Sequence, residues 1–264
     1  MILAGTPHGV LDGFTIAVTR PLHQAENLCR AIEAEGGRAF RFPVIDILPP
    51  ADRTPLQSRL QDLSAYRLGI FISANAVHHT YQLRDERPLP EGLLRAAVGQ
   101  ATARALAVHG QPAQVLPPAP YNSEALLALP ELRLLQGKRV IIFRGNQGRT
   151  LLADTLRERG AQVEQAEVYR RVPSDSDPEP LYRLWDEGRL DMIIVTSNEG
   201  LRNLFDRVDT GYREKLLETL LVVISERSAT LARKLGFVRP AVVASAASDA
   251  ALLEAAKCYA QESR

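Results

Sequence analysis

The stretch FISANAVHHTYQL, residues 71–83, passes from a short apolar run into Ser73, Ala74 and Asn75, and then into apolar positions at helical spacing. A second stretch, IIVTSNEGLRNLF, residues 193–205, makes the same passage and sets Ser197 opposite Ser73. Apolar runs this short fit strands that are covered on both faces. A serine where the helical spacing begins fits a helix cap, because its oxygen accepts a hydrogen bond from an amide of the first turn. Each stretch therefore predicts a buried strand that turns directly into a helix. Repetition of such units requires a mostly parallel sheet with helices on both faces.

The units around these stretches repeat as well. GFTIAVTRPLHQAENLCRAIEAEGGRAFRFP, residues 13–43, reads as strand, loop, amphipathic helix closed by glycine, and a second extended piece. GKRVIIFRGNQGRTLLADTLRERGAQVEQAE, residues 137–167, has the same order, and Gly13, Arg20 and Gly36 match Gly137, Arg144 and Gly160 at identical separations of 7 and 16. AVGQATARALAVHG, residues 97–110, faces VISERSATLARKLG, residues 223–236, which aligns Thr102 with Ser228. The expected fold class is α/β, with two doubly wound parallel-sheet domains. Sequence order alone would divide them near Gln136, where the repeat restarts. The proline-rich passages around 42–55, 115–122 and 171–180 read as loops or linkers.

The composition excludes several classes of function. Of 264 residues, 45% are hydrophobic and 24% charged, which fits a globular chain with a sizeable core. The net charge of +1 gives no broad field for nucleic acid or for an anionic membrane. The apolar run 220–224 is far shorter than the ~20 residues of a membrane-spanning helix. Residues 1–12 lack a basic segment followed by an apolar one, so no secretory signal is read there and a cytoplasmic location is expected. Cys29 and Cys258 are too few for a disulfide framework.

In open α/β sheets ligands bind beyond the carboxyl ends of the strands, where loops enter helices. Ser73, Thr102, Ser197 and Ser228 stand at four such junctions. Each can serve only as a cap, or each can join the helix amides in holding an anion. Arg20 and Arg144 directly follow apolar strands and Arg149 opens the next helix, so their guanidinium groups could clamp carboxylates or phosphates; pairing with nearby acids is the alternative. Ser123, in YNSEALLALP, reads mainly as a helix cap. There is no G-x-G-x-x-G opening a helix, no G-x-x-x-x-G-K-[ST] and no G-x-S-x-G. Adjacent His78 and His79 would diverge by about 100° on a helix, and His8, His23 and His109 lack ligand partners at diagnostic spacings. No metal and no organic cofactor is expected.

The ordered set VTRP (18–21), FISANAV (71–77), AVGQATARAL (97–106), YNSEALL (121–127), IIFRGNQGR (141–149), VYRR (168–171) and IIVTSNEG (193–200) resembles the uroporphyrinogen-III synthase family. The likeness runs from Gly13 to about Ala256. VISERSAT departs from the family's usual glycine-proline after that strand, and TSNEG from its commoner serine-proline or serine-alanine form. The resemblance implies a domain exchange: 1–38 with 173–264 as a discontinuous domain 1, 44–168 as domain 2, and 39–43 with 169–172 as linker strands. It implies that the substrate, hydroxymethylbilane, lies between the domains.

The implied reaction loses the hydroxyl of this linear tetrapyrrole and closes the ring through a spiro intermediate with the terminal ring inverted. It makes the protein a cyclising hydro-lyase of haem biosynthesis. Substrate folding is expected to supply most of the catalysis, with Tyr169 as candidate general acid or else as an aromatic packed between the linker strands, and with Arg20, Ser73, Asn75, Ala76, Thr102, Ser123, Arg144, Arg149, Ser197 and Ser228 around the eight carboxylates. The expected form is a monomer, with transient contact to the preceding pathway enzyme. The rivals are a two-lobed binding module without chemistry and a regulatory relative of the enzyme. The complete ordered motif set favours the enzyme.

Overall fold

The computed structural model describes residues 9–148 and 150–263. It divides into two compact units, Met1–Asp46 with Val172–Arg264, and Ile47–Arg171. Among the described residues the first unit holds β1 (Thr15–Val18), α1 (Leu22–Ala34) and β2 (Arg38–Arg41) from the beginning of the chain. From the later part it takes α7 (Glu179–Asp186), β8 (Met192–Val195), α8 (Asn198–Arg207), α9 (Arg213–Glu218), β9 (Leu220–Val223), α10 (Glu226–Leu235), β10 (Val242–Val243) and α11 (Asp249–Glu262). Its sheet runs β10-β9-β8-β1-β2, and every one of these pairings is parallel.

The second unit contains α2 (Thr54–Gln61), β4 (Leu68–Phe71), α3 (Ala74–Leu83), β5 (Leu94–Ala97), α4 (Gln100–Val108), α5 (Ser123–Ala128), β6 (Arg139–Gly145) and α6 (Leu151–Glu158). With β3 (Ile45–Leu48) and β7 (Gln162–Pro173) its sheet runs β3-β7-β6-β4-β5, and β4 is parallel to both β5 and β6. The chain passes between the units twice, at Asp46–Ile47 and at Arg171–Val172. The first expected linker, 39–43, overlaps β2, whose residues pair with β1 from Thr15↔Arg38 to Val18↔Arg41. The ladder holds those residues in the sheet of the first unit, so the crossing follows later. Gln136, where sequence order alone suggested a boundary, lies inside the second unit.

Both faces of each sheet are covered, as the short unalternated apolar runs require. In β6, Ile141 and Phe143 enter one buried cluster with Phe71, Val77 and Tyr81, while Val140 and Ile142 enter another with Leu126, Leu152 and Leu156. Phe71 and Phe143 stack at 4.4 Å between centroids, a geometry worth ~1 kcal/mol beyond the area buried. In the first unit, Ile16, Val18, Met192, Ile194, Leu220 and Val222 face α1 and α11 through Leu28, Ile32, Leu252 and Ala256, all buried. No helix among the described residues is long and apolar enough to cross a membrane.

Candidate active site

Four strand-to-helix junctions obey one local rule. The cap lies two residues beyond the strand: Phe71 to Ser73, Ala97 to Gly99, Val195 to Ser197, and Val223 to Ser225. All four caps are extended, so the chain leaves each buried strand and enters its helix without a longer loop. Ser73 Oγ accepts from the Ala76 amide at 3.1 Å, and Ser197 Oγ accepts from Gly200 at 2.9 Å. Ser225 Oγ accepts from Ser228 at 3.3 Å. Gly99 has no side chain to offer, so the first amides of α4 have no side-chain acceptor from their cap.

Thr102 and Ser228 therefore lie one turn inside their helices rather than at the caps. Both are buried, and Ser228 Oγ donates to Asn198 Oδ1 at 2.9 Å and lies 3.0 Å from Ser225 Oγ. Repeat alignment pairs them correctly but cannot tell the cap from the third helical residue, because both positions favour small polar side chains. Likewise Ser123 is the first residue of α5, and its cap is Asn122, whose Oδ1 accepts from Ala125 at 2.8 Å. Of the remaining expected residues, Ala76 is buried and spends its amide on Ser73, and Asn75 stands half-buried in the first turn of α3. Arg149 and His8 lie outside the described residues.

Neither described arginine is a free clamp. Arg144 is buried and donates to Gly145 O at 3.0 Å, Gln165 Oε1 at 2.6 Å and Gly148 O at 3.1 Å, so it shapes the loop between β6 and α6. In the first unit Arg20 forms an ion pair with Asp249, in the first turn of α11.

Tyr169 sits near the end of β7, where the register with β6 slips: Arg144 pairs with Glu167 and Gly145 with Tyr169. Such a bulge inserts an extra residue and re-aims the side chain beside it. The ring lies on Gly145, where even a Cβ would come within 2.6 Å of Tyr169 Cε2. It stacks on His79 with centroids 5.6 Å apart, and its Oη stands 3.2 Å from Ser73 Oγ. The phenol is mostly buried, and it borders a cavity of about 600 Å³ with Asn146, Gln165, Glu167, Arg170, Arg59 and Asp52. Asp52 Oδ1 accepts from the Thr54 amide at 2.8 Å, and this bond holds its carboxyl below the usual range, so it stays ionised at neutral pH.

Ser225, Asn198 and Gly145 escape a reading by residue type. The two-residue offset from the strand end could have found Ser225, whereas the contact between Gly145 and Tyr169 joins positions that no local pattern links. Among the described residues no group of three or more histidines, cysteines, aspartates and glutamates could hold a metal ion.

The family model described as uroporphyrinogen-III synthase HemD matches residues 26–254. The uroporphyrinogen-III synthase of Escherichia coli (strain K12) is 38% identical over 243 residues, covering 90% of this chain and 98% of that protein. The Salmonella typhimurium enzyme of the same name is 38% identical over 242 residues with the same coverage. Among solved structures, a mutant uroporphyrinogen III synthase from the extremely thermophilic bacterium Thermus thermophilus aligns with TM-score 0.59 at 21% identity, over 95% of this chain and 100% of that one. The Helicobacter pylori uroporphyrinogen-III synthetase aligns with TM-score 0.58 at 17% identity, over 93% and 99%. At these identities the two structures speak for the fold.

Proposed function

The chain belongs to the uroporphyrinogen-III synthase family, and on that premise we propose that it cyclises hydroxymethylbilane to uroporphyrinogen III. The observation that carries this reading is the family match, which extends over both units together with relatives at 38% identity. The activity is that of a cyclising lyase in tetrapyrrole biosynthesis.

The reaction needs the departing hydroxyl to gain a proton, the chain to be folded back on itself, and the transient positive charge to be stabilised. Tyr169 is the proposed proton donor. A phenol beside a polar cavity can protonate or hydrogen-bond a leaving hydroxide, and the tight seat on Gly145 and His79 gives it a fixed direction. The substrate's carboxylates find their seats mainly at backbone amides. Ser73 and Ser197 each spend a lone pair on the amides of their own helices, while the uncapped first turn of α4 behind Gly99 keeps amides and a helix dipole for an anion. Arg170 at the cavity adds positive charge, whereas Arg59 is paired with Glu164.

Tyr169→Phe should lower kcat tenfold or more with KM little changed. Turnover near that of the parent protein would remove Tyr169 from the acid role. The same reading has the protein acting as a monomer in the reducing cytoplasm, which the free thiols of Cys29 and Cys258 suit.

A further inference from the structure

We propose that Ser73 is the positioning residue of the general acid: its hydroxyl donates to the Tyr169 oxygen and so leaves the phenol proton free for the leaving group. This rests on the reading of Tyr169 as the acid. It also gives Ser73 a role beyond the two the sequence left open, a helix cap or a binder of anions.

Counting protons leaves Ser73 able to donate, and the proposal assigns it that direction. Ser73 Oγ lies 3.1 Å from the Ala76 nitrogen, which can only donate, so one lone pair of the serine is committed to the helix cap. Its single proton remains, and the Tyr169 oxygen, 3.2 Å away, stands at hydrogen-bond distance to receive it. If serine is the donor, the phenol oxygen accepts and its own O–H is released from the protein. The reverse direction would turn the catalytic proton inward and consume it. The ring itself has little freedom to escape this geometry, because Gly145 lies against one part of it and His79 stacks on it with planes 26° apart. One serine therefore joins two tasks: it starts α3 directly after β4, and it fixes the rotor of the acid on β7. Ser197 caps α8 in the same way, at 2.9 Å from the Gly200 amide. The two junctions share a local rule, and the one at Ser73 adds a phenol to it.

The test is steady-state kinetics on the full chain with hydroxymethylbilane, for Ser73→Ala, Ser73→Thr, Tyr169→Phe and the double variant Ser73→Ala/Tyr169→Phe. Ser248→Ala serves as the control for loss of a cap, since Ser248 Oγ accepts from Ala251 at 3.2 Å at the start of α11. Ser73→Ala should lower kcat about fivefold with KM unchanged, the loss of one hydrogen bond in the transition state. Ser73→Thr should restore most of it, and the double variant should be no slower than Tyr169→Phe alone. Ser248→Ala should lose thermal stability like Ser73→Ala and keep its kcat. A Ser73→Ala kcat equal to that of the parent, with Tyr169→Phe impaired, would overturn the positioning role and leave the acid in place. Losses that add in the double variant would show that Ser73 acts apart from Tyr169, and would overturn it too. An unimpaired Tyr169→Phe would instead remove the acid on which both depend.

Discussion

At the residue scale, the decisive contact is between a glycine and a tyrosine. Gly145 follows a run of buried strand residues and abuts the Tyr169 ring so closely that a methyl group has no room. Gly145→Ala must push the ring or the strand aside, because the atoms it meets belong to a rigid aromatic side chain. The expected result is a kcat at least tenfold lower, with a loss of stability of about 1–3 kcal/mol from overpacking. Kinetics and thermal unfolding measured on the same preparation would check both. Equal kcat at reduced stability would mean that the phenol's place does not matter to turnover. Sequence alone shows Tyr169 in VYRR and Gly145 in FRGNQGR. It cannot show that they touch, because a bulge in the ladder sets the register between them.

At the scale of elements, the strand-to-helix junctions were legible and their hydrogen bonds were only partly so. Apolar runs, small polar residues and glycine spacings identified the strands and helices of both repeats. The caps at Ser73 and Ser197 follow from the sequence, whereas Thr102 and Ser228 were placed one turn too early and Arg20 and Arg144 proved to be engaged within the protein. Asp249 is distant in sequence from Arg20, and Gln165 from Arg144, and local patterns carry no record of such partners. A second element-level device joins β6, β7 and α2: Glu164 accepts from Arg139 at 3.0 Å and from Arg59 at 3.1 Å. Burial, the largest influence, pushes its pKa up, yet Arg139, with Tyr66 and Arg59 beside it, outweighs burial and the net shift is downward. A lowered folded-state pKa gives stability that is present at neutral pH and is lost as pH falls through that value. Glu164→Gln should therefore cost about 1 kcal/mol at pH 7, the pair being partly exposed and screened. That difference should shrink and vanish as the pH falls below the usual carboxylate range, which paired urea titrations at several pH values would reveal. A cost that persisted unchanged at low pH would assign it to packing rather than to charge.

At the scale of the whole molecule, the repeat and the domain exchange explain each other. Strand order β9-β8-β1-β2 in the first unit equals β5-β4-β6-β7 in the second, with β8 matching β4 and β1 matching β6. The sequence repeat therefore describes two equivalent sheets, but each sheet draws its two matching parts from different halves of the chain. Composition and spacing reveal the repeat, and family resemblance was needed to foresee the exchange, because no local pattern says which strand pairs with which. One consequence is physical. The second unit is a continuous segment with its own buried clusters on both sheet faces, so Ile47–Arg171 expressed alone should fold and unfold cooperatively. A cooperative urea transition would bear this out, and a spectrum of unfolded chain would show that the first unit is required. The central claim concerns chemistry, and freshly generated hydroxymethylbilane tests it most directly. After incubation with the protein and oxidation of the products, the uroporphyrin isomers are separated. Type III uroporphyrin well above the level formed without protein is the predicted result; type I alone, from folded protein, would contradict it.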